Sequence, residues 1–200
     1  MLFNLKMFLP DFSIDKVENI NLERLKDLGF DSIILDLDNT LVSWKTKAIT
    51  EDVKNWIKKA QSLGFKLCIV SNCLLRGRVK FFSDLLNIPF VFRAIKPRKK
   101  AFVDALKILD TVPDKTVVIG DQVFTDVLGG NRMGFLTILV VPVDKREFYI
   151  TILQRTMEKI LLSGPRKKGL IPVFDEHSEC SVEKRPKTNL TKDSINEGKK

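Results

Sequence analysis

The sequence predicts a Rossmann-like three-layer α/β/α fold around a parallel sheet. Short apolar runs at residues 33–35, 66–70, 116–119 and 136–141 alternate with stretches of helical periodicity, the pattern of βαβ units joined by right-handed crossovers. Within the runs apolar residues are nearly continuous, as in a strand covered on both faces. The first run ends in Asp36 and Asp38, one residue apart, and ligands of open α/β sheets bind beyond the carboxyl ends of the strands.

Each element has its own signal. Residues 1–19 are read as an apolar segment packed on or leading into the core, with a shallow membrane contact as the other reading. The first ten lack a basic lead and a small-residue cleavage site, so no signal peptide is expected. Asn21 and Gly29 bracket a short helix as cap and stop. Residues 42–49, with Trp44, form a connector expected beside the site entrance. Thr50 caps a helix in which Val53, Trp56, Ile57, Ala60 and Leu63 recur at helical spacing. After the strand at 66–70, Val79, Phe82 and Leu86 share one face of a basic helix over 76–86. A short strand at 90–92 precedes a helix lined by Phe102, Ala105, Leu106 and Leu109. The strand at 116–119 follows, Gly129-Gly130-Asn131 reads as a turn, and the last strand is 136–141. An amphipathic helix over 149–162 is expected to stop at Gly164-Pro165. These elements make one domain over 20–164, and residues 165–200, polar and basic, read as a disordered tail.

Composition bounds the function. With 44% apolar residues the chain can build a core, and no run of 18 consecutive apolar residues offers a transmembrane segment. Cys68, Cys73 and Cys180 lack metal-ligand spacing, which suits a reducing, cytoplasmic setting. His177, the single histidine, lies in the tail, so histidine-based catalysis is not expected. The net charge of +9 favours anionic partners: phosphorylated metabolites, acidic lipid surfaces or nucleic acid.

Carboxylates at the end of a buried strand are costly without a partner or a metal, so Asp36 and Asp38 point to a site with a divalent cation. Three further groups follow. Ser71-Asn72 comes 35 residues after Asp36, at the end of the second strand; Lys96, before Pro97, comes 25 residues later; Gly120-Asp121-Gln122-Val123-Phe124-Thr125-Asp126 begins at the end of the strand at 116–119. With Asp36-Leu37-Asp38-Asn39-Thr40, these resemble the four ordered motifs of the haloacid dehalogenase (HAD) superfamily, in its phosphatase branch. That branch carries the second aspartate, which dehalogenases typically lack. The spacings leave no room for the cap domain that many members insert, which resembles the type III members. The wording further resembles the type IIIA bacterial YqeG group, related to mitochondrial and plastid phosphatidylglycerophosphate phosphatases.

The resemblance implies roles. Asp36 would be the nucleophile and Asp38 the general acid and base. Mg2+ would be held by Asp36, Asp121 and the main-chain carbonyl of Asp38, with Asp126 behind them. Thr40, Ser71, Asn72 and Lys96 would bind phosphate. The implied reaction converts phosphatidylglycerophosphate to phosphatidylglycerol and phosphate, in the cytoplasm or on the inner face of the membrane. Two other readings stay open: a soluble phosphatase of nucleotides or nucleic-acid ends, and a non-enzymatic basic protein binding RNA or the ribosome.

Overall fold

The computed structural model describes residues 5–144, 156–158, 160–165, 168–176, 178 and 195. Six strands form one parallel sheet: β1 (Phe12–Ile14), β2 (Ser32–Leu35), β3 (Lys66–Val70), β4 (Phe90–Val91), β5 (Thr116–Gly120) and β6 (Leu136–Val140), in the spatial order β1-β6-β5-β2-β3-β4. Among the described residues, the helices α1 (Leu22–Asp27), α2 (Glu51–Ser62), α3 (Arg76–Leu86), α4 (Lys99–Leu109) and α5 (Leu128–Met133) pack on it. The pleat sends alternate strand residues to opposite faces. Ile33, Leu35, Leu67 and Ile69 join a core with α1, α2 and α3, while Ile34, Cys68 and Val118 join a second with α4 and α5. These are the three layers expected.

Local chemistry sets the helix boundaries. The Asn21 side chain accepts from the Arg24 N–H (2.9 Å), and Gly29 takes the left-handed φ of 88° that ends α1. Thr50 accepts from the Val53 N–H (3.3 Å), and the buried Trp56 indole donates to the Ile20 carbonyl (3.0 Å).

Three expectations are corrected. Gly129-Gly130-Asn131 is no turn but the middle of α5. A Cβ on Gly129 would overlap the Phe102 ring, and one on Gly130 would overlap Val118 and Thr137. The glycines let a short helix lie close on the sheet and on α4, a requirement that looks like turn chemistry in sequence. Secondly, residues 156–158 and 160–165 are helical, so the last helix takes in Gly164 and Pro165; residues 149–155 lie outside the described ones. Beyond Pro165, Gly169 sits at φ 64°, and the Leu170 N–H bonds back to the Pro165 carbonyl (3.0 Å), the contact of a left-handed glycine cap. Thirdly, part of the expected free tail is packed. Val173 bridges Ser13 on the open edge of β1, Phe174 stacks edge-on against Phe12 at 5.2 Å, and Ile171, Phe174 and Ile195 are buried.

The N-terminal segment resolves toward the packed reading. Phe12–Ile14 joins the sheet beside β6, and the Asn131 side chain donates to the Met7 and Leu9 carbonyls (2.9 Å each). Residues 1–4 lie outside the described ones.

Candidate active site

The chain runs from β2 outward to β3 and β4, then crosses back to β5 on the other side of β2. That reversal is the topological switch point of an open sheet, where adjacent strand ends splay into a crevice. In register, Leu35 lies beside Ile119, and the Asp36 N–H donates to the Ile119 carbonyl (3.0 Å). Asp36 and Asp121 therefore emerge together. Asp126 comes from the helical turn Val123–Val127 that follows. A Cβ on Gly120 would collide with its carboxyl group, so the glycine of that motif makes room for Asp126.

Lys96 closes the group from the β4–α4 loop. Its ammonium lies 2.6 Å from Asp36 and 2.7 Å from Asp126, with the side chain 2% exposed. Burial raises the Asp36 pKa to about 6 against the pull of Lys96, and Asp126 adds to the rise. For Lys96 burial works against the charge, but Asp126 and Asp36 outweigh it and lift the pKa further. The Thr40 hydroxyl, buried, sits 3.2 Å from Asp36 and 3.3 Å from Asp121. Expected on phosphate, it is within hydrogen-bond reach of both carboxylates.

Asp36, Asp121 and Asp126 each bring a carboxylate oxygen within 4.8 Å of the others. Two oxygens sharing a Mg2+ or Ca2+ ion at about 2.0–2.6 Å stand no more than about 5 Å apart. With all four groups ionised, three carboxylates and one ammonium leave a charge of −2 in a buried place, which one divalent cation balances. The donor set fits a hard divalent ion.

The Asp38 side chain stands apart from the cluster. Its Oδ1 accepts from the Arg78 guanidinium (Nε 2.9 Å, Nη2 2.8 Å), which also donates to the carbonyls of Thr46 (2.8 Å) and Ser43 (3.0 Å). Arg78 thus ties Asp38 to the 42–49 connector, on which Trp44 is half-buried. In the sequence Arg78 is one of the cations that flank the second and third motifs. No local motif marks a contact 40 residues distant. Ser71 is buried and accepts from the Cys73 N–H (3.0 Å). The Asn72 side chain accepts from the Lys96 N–H (2.7 Å), so it braces the lysine's backbone. Cys68 is core, its thiol pushed up to about 12 by burial.

A parallel sheet that gathers buried carboxylates and a lysine at its switch point defines a protein class built to handle phosphoryl groups. A family model described as HAD-hydrolase-like matches residues 94–142, and one described as mitochondrial PGP phosphatase matches residues 1–79. The chain is 45% identical over 166 residues to the "Probable phosphatase YqeG" of Bacillus subtilis, covering 83% of this chain and 96% of that one. It is 30% identical over 184 residues to the chloroplastic/mitochondrial phosphatidylglycerophosphate phosphatase 1 of Arabidopsis thaliana, spanning 86% of this chain but about half (52%) of that protein. Among solved structures, the deoxy-D-mannose-octulosonate 8-phosphate phosphatase of Haemophilus influenzae superimposes with a TM-score of 0.47 at 16% identity, over 74% of this chain and 94% of that one. The chain belongs to the HAD superfamily of phosphatases, in the group that contains YqeG and the phosphatidylglycerophosphate phosphatases. Between its first and third motifs lie α2, β3, α3 and β4, all parts of the core, so no cap domain stands between Asp36 and Lys96.

Proposed function

We propose that this phosphatase hydrolyses phosphomonoesters through an aspartyl-phosphate on Asp36, with a lipid phosphate, phosphatidylglycerophosphate, as substrate. The observation that carries the chemistry is the Asp36 carboxylate, buried and paired at 2.6 Å with the Lys96 ammonium. An Asp36 oxygen attacks phosphorus, the P–O bond to the alcohol breaks, and Asp38 gives the leaving oxygen its proton. Water then attacks the same phosphorus and yields its proton to Asp38, releasing phosphate and restoring Asp36. Lys96 neutralises charge on Asp36 and on the transferring group. Asp36, Asp121 and the Asp38 carbonyl would hold a hard divalent cation such as Mg2+, which when bound would supply the remaining charge neutralisation. Asp126 holds Lys96 from the far side.

The substrate reading is supported by the Arabidopsis relative's name, by the PGP phosphatase family match, by the net charge of +9, and by the lack of a cap domain between Asp36 and Lys96. No helix among the described residues is long and apolar enough to cross a membrane, so in this reading the enzyme meets the lipid from the water side. Phosphate release is compared for phosphatidylglycerophosphate, nucleotides, 5′-phosphorylated oligonucleotides and sugar phosphates. Preference for the lipid is expected. Faster turnover of nucleotides or nucleic-acid ends assigns the soluble substrate instead.

A further inference from the structure

Two of the helices that begin at the carboxyl edge of the sheet, α3 and α4, carry an unusual charge pattern. α2 starts normally, with a Thr50 cap and then Glu51 and Asp52. α3 and α4 do the reverse. Their first turns hold Arg76 and Arg78, and Lys99 and Lys100, with no acidic residue, and the preceding Leu75 and Arg98 make no side-chain cap bond. Cations at a helix N-terminus oppose the macrodipole. Arg78 is accounted for by Asp38 and the connector carbonyls, and Lys100 by its pair with Asp104 (3.2 Å). Arg76, over the Phe92 ring, and Lys99 have no acidic partner in those turns.

Large aliphatic side chains stand in water on the same rim. Leu74 is 70% exposed, Leu75 68%, Ile95 57% and Val143 57%. The first two follow β3, Ile95 immediately precedes Lys96, and Val143 follows β6. The Arg93 N–H bonds to the Cys73 carbonyl (3.3 Å) and the Val143 N–H to the Asn39 carbonyl (2.9 Å), so these loops are knit to one another and to the loop carrying Asp38. Ile95 also sits at φ 52°, a left-handed conformation disfavoured for a β-branched residue. Local folding would favour asparagine or glycine there, without an apolar tip.

We propose that this rim is a docking surface for an anionic lipid bilayer, with Leu74, Leu75, Ile95 and Val143 entering the headgroup region. Arg76, Arg93, Arg98 and Lys99, all exposed between or beside them, meet the lipid phosphates. The proposal rests on the lipid-phosphate reading above and says how the site reaches its substrate. A soluble phosphate ester accounts for cations at the rim but gives no use to exposed aliphatics. A protein partner fits less well, because interface cores favour contiguous apolar and aromatic packing and are poor in lysine. Aliphatic tips on separate loops, interspersed with Lys and Arg, suit a bilayer interface.

The test uses the full chain and vesicles of phosphatidylcholine with or without phosphatidylglycerol, read by co-sedimentation. Wild type is expected to bind only the anionic vesicles and to leave them as salt rises from about 0.1 to about 1 M. The triple substitution Leu74→Ser, Leu75→Ser, Ile95→Ser is expected to weaken binding at least about tenfold, with activity on a soluble nitrophenyl phosphate unchanged. Leu85→Ser with Ile108→Ser, on exposed positions at the far ends of α3 and α4, is expected to bind as wild type. Absence of vesicle binding, or binding equal in wild type and triple variant, overturns the proposal. So does a wild-type dimer that the triple variant dissolves without any vesicle binding. Binding without hydrolysis of lipid phosphate leaves the docking surface standing and removes the substrate reading; hydrolysis of detergent-dispersed lipid by a chain that ignores vesicles does the opposite.

Discussion

Asp36 carries opposing demands. As a nucleophile it must be ionised, yet its burial beside Asp126 raises its pKa from 3.8 to about 6 in the metal-free protein. Because the folded state holds this proton more tightly than the unfolded chain, the ionised carboxylate costs stability. That cost is absent below about pH 4, grows through pH 6, and is complete above it, on the order of 3 kcal/mol. Asp36→Asn should therefore melt higher than wild type at pH 8 without metal and alike at pH 4, with the Lys96–Asp126 pair retained. The same variant should release no phosphate. Measurable turnover in a clean Asp36→Asn preparation would remove the nucleophile assignment. Arg78 makes a different prediction. Since it holds Asp38 and the 42–49 connector, Arg78→Ala should slow esters with poor leaving groups by up to roughly a hundredfold. A nitrophenyl ester, whose alcohol leaves with little protonation, should be spared. Equal loss on both would show Arg78 to be needed for the fold or for phosphate rather than for Asp38.

Among the elements, α5 is defined by what it lacks. Gly130→Ala would press a methyl into Val118 and Thr137, and urea unfolding should show about 1–3 kcal/mol lost despite alanine's better helix propensity. α4 is expected to respond in the other direction. Lys99→Glu places an anion in its first turn and should gain roughly 0.3–1 kcal/mol while weakening binding to anionic vesicles. Stability and docking moving in opposite senses would mark the cation as kept for the surface rather than for the helix.

At the scale of the whole molecule, the sheet is completed from both ends of the chain. β1 comes from the N-terminal segment, and residues 171–174 cover its outer side. Phe174→Ala should cost about 3 kcal/mol, measured by the urea midpoint; an unchanged midpoint would mean that this stretch contributes nothing to the fold. The −2 charge of the buried cluster gives a second global response. Mg2+ should raise the melting temperature and restore turnover stopped by chelator, and Asp121→Ala should lose most of the rise. Thermal stability indifferent to both metal and chelator would be inconsistent with a cation at Asp36 and Asp121.

What the sequence determined by itself follows from short-range rules. Caps at Asn21 and Thr50, the β3 bounds at 66–70 and the α3 bounds at 76–86 were legible because apolar period and capping chemistry act within a few residues. The four motif groups were legible because each ends a strand or lies in the loop just beyond, and order in a parallel sheet brings such ends to one edge. Tertiary structure decided the rest. Gly129 and Gly130 became helical because the opposing surface, not the local backbone, requires the missing Cβ. Thr40 meets Asp121, and Arg78 became part of the site by bonding Asp38, through contacts between residues far apart in the chain. The apolar run Leu170-Ile171-Pro172-Val173-Phe174, set in a stretch read as a polar tail, supplied Val173 and Phe174 to the sheet edge, since an unpaired strand edge and an exposed Phe12 exist only once the sheet has formed.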